Sequence, residues 1–171
     1  MIFIYNDYGG THTTSLAAAL HLKIISPSSF PLTKEEILAV PYFNKLTKKD
    51  FGKLIFHGKD QDGHLVYTIG RKSQKLVVPS LESLGLMFFE HFNIKERLVF
   101  SNTSPTVPTI MSFGGFFSRG LGMDAIGVPL LVQGAKKCLN NIYELVETTK
   151  QAALISTEDQ IVVLDNKQFQ K

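Results

Sequence analysis

A single cysteine, Cys138, excludes an internal disulfide framework. That suits a reducing compartment. Cys138 follows Lys136 and Lys137 in a predicted helix and reads as a structural thiol. An excess of one charge is also missing, since 18 basic and 15 acidic residues leave a net charge of only +3. So small and scattered an excess excludes a nucleic-acid partner from the expectation. Lys45, Lys48, Lys49 and Lys53 form the densest basic group, but Asp50 interrupts it and it reads as a solvated face. No apolar run reaches the roughly 18 residues of a membrane span. Arg119 breaks up the stretch from Phe113 to Leu121. The first residues lack a basic segment followed by a long apolar core, so no signal peptide is expected. The expectation is a cytoplasmic protein with no membrane partner.

Three nucleotide and hydrolase motifs are absent as well. No Gly-Lys-Ser/Thr closes a Walker A loop, and Gly9-Gly10 lacks the third glycine of the dinucleotide fingerprint. Gly-x-Ser-x-Gly does not occur. A conventional ATPase, NAD enzyme or serine hydrolase therefore lacks its residues, and no cofactor is named by the sequence.

What is present is an ordinary globular composition, 44% hydrophobic and 19% charged over 171 residues, enough for one domain with a core. The most informative stretch opens the chain. Ile2 to Tyr5 is a β-branched and aromatic run. It leads through Asn6-Asp7-Tyr8-Gly9-Gly10-Thr11-His12-Thr13-Thr14 into an Ala/Leu-rich helix at about 14–22. Strand, glycine-bearing loop and helix form the opening unit of many phosphate-binding α/β proteins. A helix N-terminus offers unpaired N–H groups and a partial positive charge to an anion.

Further along, Thr33 and Glu36 have capping-box spacing and Pro41 ends the short helix they start. Residues 54–57 and 65–69 read as a hairpin turning at Asp62-Gly63. Leu76 to Val78 reads as a third short strand, and Ser80 as the cap of a helix over 81–92 with a stripe of Leu81, Leu84, Phe88 and Phe92. A buried strand at 98–100 ends in Ser101-Asn102-Thr103-Ser104. A glycine-rich helix follows at about 108–120, in which Gly114, Ser118 and Gly122, spaced by four, suit close backbone approach. Pro129 to Val132 reads as a strand, 136–150 as a helix, and 153–155 with 160–164 as a peripheral C-terminal hairpin within about 151–171. The alternation predicts a single α/β domain over 1–171. Its sheet is mostly parallel, Rossmann-like or P-loop-like, with an inserted β-hairpin.

In such sheets ligands sit beyond the carboxyl ends of the strands. Neighbouring first and 98–100 strands would bring Gly9, Gly10, Thr11, Thr13, Thr14, Ser101 and Asn102 to one crevice. There the glycines admit a ligand and the hydroxyls donate to it. His12 is the candidate acid, base or nucleophile, with Asp7 as its orienting carboxylate or a metal ligand. The alternative is an ordinary βα turn, in which glycines and threonines serve only the chain. Arg119, a lone charge among aromatics and glycines, either clamps a phosphate or carboxylate or bridges to Asp7 or Asp124. His57, Asp60, Asp62 and His64 have the residue types for a divalent metal, although Asp60 and Asp62 also suit a polar turn, and His57, Asp60 and His64 stand as weak metal candidates. His21 and His91 read as surface residues at helix C-termini.

Four segments, YGGTHTTSLAAALHL, PYFNK, FGKLIFHGKDQDGHLVYTIGR and GGFFSRGLGMDAIGVPLL, resemble a domain-of-unknown-function family of small proteins from endospore-forming Firmicutes. The resemblance covers roughly residues 1–150. Its most specific parts are the Gly-Gly-Thr-His-Thr/Ser opening and the His-Gly-x-Asp-x-x-Gly hairpin. It implies a cytosolic bacterial protein with a link to sporulation, and no known reaction. Gly9, Gly10, Thr11, His12, His57, Gly58, Asp60, Gly63 and Arg119 fall in its motifs. Two functions follow as expectations: a binder of a phosphorylated small molecule or nucleotide, with phosphoryl or phosphoester chemistry if it is an enzyme, or a non-catalytic sporulation protein acting through a protein partner.

Overall fold

Alternating apolar residues place the first strand at the centre of the sheet. In β1 (Ile2–Asp7), Phe3 and Tyr5 face one side and Ile4 the other, and all three are buried. A strand buried on both faces needs helices on both. The computed structural model, which describes residues 1–171 except Asn93, Thr157, Glu158 and Lys171, supplies them. On the Phe3–Tyr5 face lie α1 (Thr13–His21), α2 (Lys34–Ala39) and α5 (Asp124–Ile155). On the Ile4 face, α3 (Val77–Phe92) packs through Val77, Val78 and Leu81 against Ile4, Ile69 and Phe100.

The sheet has five strands in the order β2-β3-β1-β4-β5, with β2 at Ile55–Lys59, β3 at Leu65–Gly70, β4 at Leu98–Asn102 and β5 at Ile161–Leu164. Only the β2–β3 hairpin is antiparallel; β1 runs parallel to β3 and β4, and β5 parallel to β4. The connections after β1 and β3 thus leave on opposite faces, which is where an α/β sheet opens a crevice. The single α/β domain with its inserted hairpin is as the sequence predicts.

Four local predictions are corrected. Val77 and Val78 do not form a strand but open α3, which starts before Ser80; Pro79 in the first turn gives up an N–H that has no helical partner there. The packed stripe of α3 is Leu81, Gly85 and Phe89, while Leu84, Phe88 and Phe92 are exposed. Gly85 sets that phase, since a Cβ there would lie 2.7 Å from Leu98 Cδ1. Pro129 to Val132 belong to the 32-residue α5, not to a strand. Close packing of α5 on α4 (Thr109–Gly115) and on the π-helical turn after it, Phe116–Gly120, overrides the break that Pro129 suggests. Cβ atoms at Gly114 and Gly127 would fall 2.8 Å from Leu131 N and 2.5 Å from Ser118 N. Finally, 153–155 end α5 and 161–164 add an edge strand, so no C-terminal hairpin forms. Thr157 and Glu158 of its predicted turn lie outside the described residues. Among the described residues, no helix is long and apolar enough to cross a membrane.

Candidate functional site

The loop after β1 is tied down from within. Asp7, buried at its end, accepts hydrogen bonds from the Gly10 amide and the Thr13 hydroxyl, the latter at 2.8 Å. Gly10 has φ +70°, and a Cβ there would stand 2.5 Å from Gly70 N. Gly10 is therefore demanded by the backbone of β3. Gly9 is different, because its nearest neighbour to a Cβ lies at 3.9 Å. Thr11 is a clamp: its hydroxyl donates to the Tyr42 carbonyl (2.6 Å) and accepts from the Leu46 amide (3.2 Å). The Thr11 carbonyl accepts the Asn44 amide at 3.0 Å.

At the start of α1 the bonding stops. The Leu16 amide reaches the His12 carbonyl (3.0 Å), and no side chain caps the turn ahead of it. The amides of Thr13, Thr14 and Ser15 precede that first helical bond. Among the described residues, Thr14 Oγ1 and Ser15 Oγ are the buried side-chain oxygens that lack any partner. An unsatisfied buried hydroxyl costs about 1–3 kcal/mol. The loop thus concentrates unpaired polar groups in a single helical turn.

His12 sits half-buried at the same turn. Its partner is Asn44, not Asp7 as expected: Asp7 is committed to the loop, and His12 Nε2 lies 3.1 Å from Asn44 Oδ1. Asn44 Nδ2 donates to Ser118 Oγ at 2.9 Å, and the Ser118 hydroxyl donates to the Asp124 carboxylate. That chain of donors orients Asn44 with its oxygen toward His12. His12 therefore carries its proton on Nε2 and leaves Nδ1 with a lone pair. Burial lowers its pKa below the usual imidazole value, the Asn44 hydrogen bond and the Asp7 charge oppose that, and the Arg119 charge adds to the lowering. Neutral His12 suits a base or nucleophile better than an acid.

Arg119 takes the bridging alternative. It pairs with Asp124 at 3.3 Å and donates to Ser118 Oγ, also at 3.3 Å. Sequence reasoning missed Asn44 and Ser118, which meet across 74 positions of chain. Both lie in segments that carry the family resemblance, PYFNK and GGFFSRGLGMDAIGVPLL, and Asn44 adopts a left-handed φ of +54°, which asparagine tolerates.

The remaining candidates separate. Ser101 faces α5, where it bonds Thr149 Oγ1 (2.8 Å) and accepts from Asn166 (2.9 Å), so its expected place in the loop crevice is corrected. Thr103 takes that place, 3.0 Å from the Thr13 hydroxyl. Asn102 lies on the α3 face of the sheet. His57 bonds Thr68 Oγ1 (3.0 Å) and is not grouped with Asp60 and His64. Asp60, Asp62 and His64 do converge, with ligand atoms within 4.8 Å of one another. Asp60, however, is saturated. One oxygen accepts the amides of Asp62 (3.0 Å) and His64 (2.8 Å), and the other meets His21 and His64, each at 3.1 Å. Burial would raise the Asp60 pKa, but these bonds prevail and hold it at about 2. His21 is buried between Asp60 and the Tyr5 hydroxyl (2.7 Å), not at the surface as expected. The group pins the hairpin to α1. Cys138 is inert: burial pushes its thiol up to about 12.

A family model, described as a protein of unknown function (DUF3189), matches residues 2–151. No curated protein matches the chain. No solved structure matches it.

Proposed function

The chain belongs to the DUF3189 family, whose description assigns no reaction, and from its site we propose that the loop Gly9–Thr14 and the start of α1 bind a phosphorylated small molecule or nucleotide. The observation that carries this reading is the uncapped first turn of α1 with two orphaned hydroxyls, Thr14 and Ser15. Phosphate oxygens are acceptors, and a turn rich in unpaired donors at the positive end of a helix is complementary to them. The Asp7 carboxylate is satisfied inside the loop, which blunts its repulsion of an incoming anion. If phosphoryl or phosphoester chemistry follows, His12 acts through Nδ1 as base or nucleophile, with Asn44 holding its tautomer.

The test is thermal melting against inorganic phosphate, sugar phosphates and nucleotides. Ligand at 100 times its dissociation constant adds about 2.7 kcal/mol. That is a rise of roughly 5 to 10 °C for a domain of this size. The rise should shrink in Thr14→Val. With an active ligand in hand, His12→Ala should abolish turnover without unfolding the chain. No shift across the panel sinks the reading.

A second reading has its own support. Phe113, Phe116 and Leu121 are each more than half exposed around the turn after α4. Exposed aromatics in a cluster favour a protein partner, as expected of a non-catalytic sporulation protein. A Phe116→Asp variant should then abolish self-association or partner capture while leaving the melting point intact. A strictly monomeric wild type that captures nothing removes this reading.

A further inference from the structure

A cleft of about 260 Å³ opens at the carboxyl ends of the strands on the α3 face, away from the α1 turn. Asn6 and Asn102 stand opposite each other in the β1–β4 register, so their carboxamides lie side by side on this face. Arg71, the residue after β3, spans them. Its Nε donates to Asn6 Oδ1 at 3.0 Å and its Nη2 to Asn102 Oδ1 at 3.5 Å, while its backbone amide is fixed to the Asp7 carbonyl at 2.9 Å. A guanidinium has five N–H donors, and these bonds use two. Among the described residues no carboxylate lies within ion-pair distance of Arg71. Carboxamides position a guanidinium without cancelling its charge, whereas aspartates in their place would cancel it. Lys75 lines the same cleft and adds a second cation. Glu82 and Asp165 line it too, and they disfavour a polyphosphate.

We propose that this cleft is a second binding site, in which Arg71, held on the Asn6–Asn102 shelf, receives the carboxylate or phosphate group of a small molecule. The site is independent of the Gly9–Thr14 reading. It lies beyond the carboxyl ends of the strands, where α/β sheets place ligands, and Arg71 reaches it from the β3–β1 boundary, at which the connections leave on opposite faces. A half-buried arginine with free donors is suited to bidentate recognition of an oxyanion.

The experiment follows the Arg71 Nε–H resonance during titration with inorganic phosphate and, separately, with acetate. A saturable shift is expected with at least one of them, and the arm that saturates lower tells phosphate from carboxylate. Two variants locate it. Asn6→Asp gives Arg71 an internal carboxylate at the same position and should weaken the response at least about tenfold with the fold retained, read by the melting curve. Arg71→Gln should remove one site from the binding isotherm seen by calorimetry, leaving only what the Gly9–Thr14 loop binds. The Arg71 response should survive Thr14→Val, so failure of the loop reading leaves it standing. An Arg71 resonance unmoved by either anion, or a response unchanged in Asn6→Asp, overturns the proposal.

Discussion

Thr14→Val separates a residue kept for a ligand from one kept for the fold. The substitution removes one oxygen and keeps the β-branched shape. In the free protein Thr14 Oγ1 is fully buried and makes no hydrogen bond. Deleting it removes a desolvation penalty of about 1–3 kcal/mol and breaks no bond. Helix propensities of valine and threonine are nearly equal, so that term drops out. At roughly 2–4 °C per kcal/mol for a domain of this size, the free variant should melt about 2–12 °C higher than wild type. With saturating phosphate ligand the order should narrow or reverse, because only wild type gains a bond from the hydroxyl. Differential scanning calorimetry with and without ligand reads both limbs. A free Thr14→Val that melts lower than wild type refutes the reasoning, for the hydroxyl would then already be bonded in solution and its orphan state would signify nothing about a ligand.

The two loop glycines should respond oppositely to alanine. Gly10→Ala meets the Gly70 backbone at 2.5 Å with φ +70° and should cost about 2–5 kcal/mol, whereas Gly9→Ala, whose Cβ would make an ordinary contact with Thr11 Cγ2 at 3.9 Å, should stay within about 0.5 kcal/mol in urea titration. His21 makes stability depend on pH. Burial first, then the Lys150 charge, holds its folded pKa at about 4, while the unfolded chain binds its proton near the ordinary value of about 6.5. Its share of stability is complete above about 6.5 and is lost as pH falls toward 4, amounting to about 2 kcal/mol at pH 5. His57, held at about 4 by burial, adds in the same direction, so His21→Gln should flatten the urea midpoint against pH only in part. Asn44→Asp places a carboxylate against His12 Nε2 and should raise the His12 pKa above its wild-type value by proton NMR titration; a pKa that stays put removes Asn44 as its partner.

The parts of the fold that were readable are those fixed by near neighbours in sequence. Thr33 and Glu36 close their capping box three residues apart, and the Asp62-Gly63 turn sets the hairpin. The helix at Pro129 was not readable, because its evidence lies in Gly114 and Ser118, on another helix. The site divides in the same way. The loop and its threonines announce themselves, but what each side chain is for depends on partners far along the chain: Gly70 for Gly10, Asn44 for His12, Thr149 for Ser101. Composition points to a polar site and cannot say which polar groups are already spent. Counting what is spent reorders the candidates. Asp7, Thr11, Ser101, Asp60 and Arg119 all have protein partners, whereas Thr14, Ser15, the Nδ1 of His12 and the outer edge of Arg71 retain free capacity. Two of those four sets stand at the start of α1 and one beside it. The last, Arg71, stands across the sheet, in a cleft whose shelf of two aligned asparagines no local pattern in the sequence would reveal.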